Sequence, residues 1–286
     1  MDIRTVSRIA AFIVAFAACA AHAKIVTKAL DYEVDHRPMH GYLAYDDAVK
    51  EQRPGVLVVP EWWGLTDYPK SRAEQLAKLG YVAFVADIYG NGFTTDDPKV
   101  AGQKAGEAKQ NGWLRSRGKL ALEQLRKDEH VDPQNLAAIG YCFGGGCVLE
   151  LARAGEDLKG VVSFHGDVST NQPAKQGDVK AKILVCHGAA DPLVTNEAVD
   201  KFQQEMKDAG ADVRIIRYPN AKHAFTNPDA DKHNMPPISY NAAADKKSWQ
   251  DMKQFFAEIF GDANPKPAAA GAAGDESAAP AGAGAK

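Results

Sequence analysis

Cysteine is scarce in this chain, four residues in 286, which excludes a fold stapled by disulfides. No C-x-x-C pair occurs, which counts against a thiol redox role. Basic residues are not in excess. With 34 Lys and Arg against 37 Asp and Glu, the formal charge is -3. That excludes nucleic acid as the main partner, because phosphate binding needs a basic surface. The apolar run Ile9–Ala18 falls short of the roughly 20 residues that span a bilayer. No internal repeat is visible. What is present is ordinary globular composition, 45% hydrophobic and 25% charged, enough for a sizeable core.

The two ends stand apart from this core. Arg4 and Arg8, the Ile9–Ala18 run and the exit Ala21-His22-Ala23 have the three-part layout of a secretory signal peptide over residues 1–23. Cleavage after Ala23 is expected, with export to a periplasm or beyond and no stable membrane insertion afterwards. An uncleaved anchor and lipid attachment at Cys19 are the alternatives. Residues 264–286 turn to Ala, Gly and Pro, which predicts a disordered tail. Residues 24–263 contain no linker and read as one domain; a monomer is the expected state, though no residue pattern sets it. Without Cys19 three cysteines remain, an odd number. Cys147 and Cys186 lie in apolar surroundings and read as buried free thiols, a bridge between them being the alternative.

Within the domain, apolar runs alternate with helical periodicity. Ile25 to Tyr45 reads as two strands around a turn at Asp35-His36-Arg37-Pro38. Strands follow at Gly55–Pro60, Tyr81–Ala86, Leu136–Gly140, Gly160–Phe164, Lys182–Cys186 and Val213–Tyr218. Helices are expected over Asp67–Leu79, Lys99–Lys127 with a break near Asn111-Gly112, the segment after Cys142, Glu197–Ala209 and Ala242–Phe260. This alternation predicts an α/β fold, a mainly parallel sheet with helices on both faces.

The most informative stretch is Gly140-Tyr141-Cys142-Phe143-Gly144-Gly145-Gly146. It has the form G-x-S-x-G with cysteine in place of serine, between a strand and a helix. Glycines permit a strained turn that lifts the Cys142 sulfur to the helix N-terminus, where the dipole favours thiolate. A thiol nucleophile needs a base, and the base an orienting acid. In an α/β-hydrolase layout these follow in the order nucleophile, acid, histidine. Asp191 and His223 each follow a strand end in that order. Asp167 is the competing acid; His165 and His187 come too early and read as structural, and His130 and His233 as surface residues. Glu61 closes an early strand, where the second oxyanion donor of this layout arises. The N–H groups of Trp62 and Phe143 are the oxyanion candidates. A helix-capping role near Asp67 is the alternative for Glu61.

Pro60-Glu61-Trp62-Trp63-Gly64, Ala86-Asp87-Ile88-Tyr89, Gly140–Gly145, Asp191-Pro192 and His223-Ala224-Phe225 together resemble the dienelactone hydrolase family, over about Gly55 to Phe260. The resemblance implies an α/β-hydrolase fold, a Cys-His-Asp triad working without metal or organic cofactor, and a small ester or lactone as substrate. It also implies that Glu61 holds the Cys142 proton at rest. One departure stands out. Arginines that clamp a substrate carboxylate in the family align near Asn91 and Asn227 here, and asparagine lacks their charged fork. Trp63, Tyr89, Asn91, Phe225 and Asn227 are the expected pocket residues. A thiol redox protein using Cys142 with Cys147, and a catalytically silent binding module, are the competing functions.

Overall fold

The apolar run that ends at Val59 is a strand with water on neither side. Val56 and Val58 face one layer of packed side chains, Leu57 and Val59 the other. The same division recurs at Val82 and Phe84 against Ala83 and Val85, as expected where successive side chains alternate across a doubly covered sheet. The computed structural model describes residues 24–265. The expected leader, residues 1–23, and the tail beyond residue 265 lie outside the described residues.

The strands are β1 (Ile25–Val34), β2 (Arg37–Asp46), β3 (Arg53–Val59), β4 (Val82–Val85), β5 (Val131–Tyr141), β6 (Gly160–Phe164), β7 (Lys182–Gly188) and β8 (Val213–Tyr218). They form one eight-stranded sheet in the order β1-β2-β4-β3-β5-β6-β7-β8. The β1–β2 hairpin turns through Asp35 and His36, both at positive φ. β2 runs antiparallel to β4, and β4, β3 and β5 to β8 are parallel. The outer strands are β1 and β8.

Helices α1 (Asp67–Lys78) and α6 (Ala242–Phe260) cover one face; Leu76, Phe255 and Phe256 pack there with Val56 and Val58. Helices α2 (Pro98–Gln110), α3 (Trp113–Arg126), α4 (Phe143–Arg153) and α5 (Asn196–Asp208) cover the other, where Leu122, Val148 and Phe202 share the layer with Leu57. The break expected near Asn111-Gly112 separates α2 from α3, with Gly112 at φ 67. β5 begins five residues earlier than its apolar run. Val131 and Asp132 pair with Arg53 and Pro54 before a register shift, so a polar stretch that reads as loop is held by its neighbour's backbone.

The chain leaves β3 for β4 on one side and crosses to β5 on the other. Strand order reverses there, opening a crevice at the carboxyl ends of β3 and β5. Glu61 follows β3 and Cys142 follows β5.

Candidate active site

β5 ends at Tyr141 and α4 starts at Phe143, so Cys142 alone makes the turn, at φ 53 and ψ -114. Such a backbone costs on the order of 1–3 kcal/mol and persists only where its surroundings impose it. Here they do. The Cys142 N–H donates to the Phe164 carbonyl at 3.0 Å, and Gly146 N–H donates to the Cys142 carbonyl at 3.2 Å. A Cβ on Gly140 would lie 2.0 Å from the Gly144 oxygen, and one on Gly144 2.1 Å from the Val59 oxygen. The glycines are needed for close backbone approach as much as for the turn. Cys142 is half-buried at the N-terminus of α4.

Asp191 follows β7. Its Oδ1 accepts from the N–H groups of Leu193 and Val194, at 2.8 and 3.0 Å. Its Oδ2 accepts from His223 Nδ1 at 2.7 Å. His223 follows β8, and its carbonyl is held by the Ser239 N–H at 3.1 Å. Burial alone would lower the His223 pKa. The Cys142 sulfur beside it and the hydrogen bond to Asp191 outweigh burial and hold it well above the ordinary histidine value. Imidazole and carboxylate are hydrogen-bonded, and the Cys142 sulfur and the imidazole line the same cavity.

The competitors have other partners. Asp167 pairs with Lys109 at 2.5 Å. His165 Nε2 lies 2.7 Å from Thr226 Oγ1, and burial, with His223 nearby, drives its pKa well down. Burial also lowers His187. His233 is only half exposed, its ring stacked on Trp63 with centroids 4.0 Å apart. The Cys147 thiol contacts the Leu114 carbonyl of α3 at 3.1 Å, and burial pushes its pKa up. Burial pushes Cys186 up to about 12. All three cysteines in the described residues are free.

Glu61 is buried beneath this site and accepts from Asn227 Nδ2 at 2.6 Å. Burial raises its pKa to about 7, against the opposing pull of Asn227, His223 and Arg72. Among the described residues no hydrogen bond joins Glu61 to Cys142. Nor does Glu61 cap α1, whose N-cap Thr66 has no side-chain capping bond. The N–H groups of Trp62 and Phe143 meet no acceptor among the described residues, so both are open to an oxyanion.

A cavity of about 760 Å³ opens on Cys142 and His223, walled by Trp62, Phe143, Val168, Leu193, Val194 and Phe202. Trp63, Tyr89, Asn91, Phe225 and Asn227, expected in this wall, lie outside it. Tyr89 packs behind Phe143, ring centroids 5.3 Å apart, and its hydroxyl donates to the Trp62 carbonyl at 3.2 Å. Asp87 holds that corner by accepting from the N–H groups of Tyr89, Gly90, Gly92 and His40. Phe225 is buried against His165 and Tyr218. Trp63 faces His233, Asn91 is exposed at φ 59, and Asn227 is spent on Glu61. The true wall comes from the loop after β6 and the start of α5. Only the apolar Leu193-Val194 pair just past Asp191 hinted at it.

The sequence profile of the dienelactone hydrolase family matches residues 39–260. An uncharacterized protein of Caenorhabditis elegans is 36% identical over 154 residues, 53% of this chain and 97% of the relative. Among solved structures, m3DLH superposes with a TM-score of 0.79 at 37% identity, over 82% of this chain and 98% of that one. A dienelactone hydrolase-like promiscuous phosphotriesterase from metagenomic libraries gives 0.78 at 36% identity, over 83% and 99%.

Proposed function

Because the chain belongs to the dienelactone hydrolase family, we propose that it hydrolyses small esters or lactones with Cys142, His223 and Asp191 as its triad. His223 takes the thiol proton as the Cys142 sulfur attacks the carbonyl carbon. The N–H groups of Trp62 and Phe143 hold the oxyanion. Collapse releases the alcohol, which leaves with the proton from His223, and a thioester remains. Water, deprotonated by His223, adds to the thioester; the acid departs and the thiolate regains its proton. Asp191 keeps the imidazole oriented throughout. Glu61 acts as a proton reservoir beside His223, poised by burial to change charge near neutrality.

The observation that carries this reading is His223 held between Asp191 at 2.7 Å and the half-buried sulfur of Cys142. The test is turnover of p-nitrophenyl butyrate. Cys142→Ala is expected to lower kcat/KM by about 10⁴-fold or more, and mass spectrometry of the wild type during turnover should find the acyl group on Cys142. Full activity in Cys142→Ala overturns the mechanism. The arginine, apolar and A-x-A segments of residues 1–23 support export. N-terminal sequencing of the protein from its native host should begin at Lys24.

A further inference from the structure

A second cavity, of about 640 Å³, adjoins the first. The two share Lys109, Phe143, Asp167, Ser169 and Thr170 in their linings. Lys109, near the end of α2, reaches across to Asp167, in the loop after β6, and their ion pair lies where the cavities meet. Asp167 is the fixed half of this strap. Its Oδ1 accepts from the Ser169 N–H at 2.9 Å, and its backbone rests on α4, where a Cβ on Gly146 would come within 3.0 Å of its carbonyl oxygen. Lys109 is the movable half, on a long side chain that is half exposed.

The charges of the second cavity are all committed. Lys109 pairs with Asp167, Arg115 with Glu150 at 2.6 Å, and Lys119 with Glu156 at 3.0 Å. Each partner also lines that cavity. In the first cavity Glu205 is bound by Arg153 at 2.8 Å, and Lys201 stands exposed. A chain threading from one cavity into the other meets no uncommitted buried charge, so an uncharged one leaves no buried ion stranded.

Resting on the hydrolase reading, we infer that the Lys109–Asp167 pair is a specificity-determining strap. It limits an uncharged ester to the length of the first cavity, and the second cavity is a subsite for the far end of longer uncharged chains. An exposed pair of this kind is easily opened, so the limit is graded rather than absolute.

The test compares the wild type with Lys109→Ala, Asp167→Ala and the swapped pair Lys109→Asp/Asp167→Lys. One readout is the kcat/KM ratio of p-nitrophenyl decanoate to acetate. The other is the rate of Cys142 labelling by N-octylmaleimide against N-ethylmaleimide, followed by mass spectrometry, which needs no ester turnover. Both ratios should rise about fivefold or more in each single variant and fall back in the swap. Ratios that stay within about twofold in both single variants overturn the strap. A shift in labelling without any ester turnover would leave the strap standing and remove the hydrolase reading instead.

Discussion

Burial governs the charge on Glu61, and Asn227 offsets only part of it. A carboxylate buried at 3% exposure is given a neutral amide as its hydrogen-bond partner. The folded pKa rises to about 7, from 4.5. Between these values the folded protein holds a proton that the unfolded chain has lost. Stability from this group is therefore full below about pH 4.5 and is lost as pH climbs through 7. Glu61→Gln keeps an acceptor for Asn227 and removes the charge. Urea unfolding should show it no more stable than wild type at pH 4, but more stable at pH 8 by on the order of 3 kcal/mol. Asn227→Arg should flatten the same slope by pairing the carboxylate with a cation. The triad was legible in the sequence because each member follows a strand end and Cys142 sits among glycines. The partner of Glu61 was not, since it lies 166 residues away.

At the scale of elements, two glycines make opposite forecasts. Gly144 begins α4 against β3, with 2.1 Å between its added Cβ and the Val59 oxygen and 2.6 Å to that of Pro60. Both obstacles are backbone and cannot swing aside. Gly144→Ala should cost about 3 kcal/mol or more in chemical denaturation and displace the Cys142 turn, lowering activity as well. Gly106 lies inside α2 with nothing within 4 Å of its added Cβ. Gly106→Ala should raise stability by about 0.5–1 kcal/mol by restricting the unfolded chain. The sequence located nearly every element, because strands buried on both faces read as unbroken apolar runs. It missed the start of β5, where Val131 and Asp132 join the sheet through their neighbour rather than through their own propensity.

Across the whole molecule, two buried arginines bind the layers to the site. Arg153 of α4 donates to Glu150, to both carboxylate oxygens of Glu205 on α5, and to the Val168 carbonyl at 2.7 Å. It thereby joins two walls of the catalytic cavity. Arg72 of α1 donates to the Thr226 carbonyl at 2.7 Å and to Asp245 of α6, fixing the loop that carries His223. Arg153→Met should cost about 3–5 kcal/mol in denaturant melts by stranding Glu205, while Glu150 keeps Arg115. Neither role could be read from the chain alone, where an arginine on a helix looks like one more solvated charge. Nor could the cavity, whose wall is a loop conformation that leaves no periodic signature.

The margins of the sheet carry a consequence of their own. β1 presents Lys28, Asp31 and Glu33, and β8 presents Arg214 bound to Glu258 and Arg217 bound to Asp200. A ninth strand from a neighbouring copy would have to strip water and counter-charge from either border before its first amide could bond. Both borders are therefore poor seeds for fibres, and crowding should leave the molecule eight strands wide.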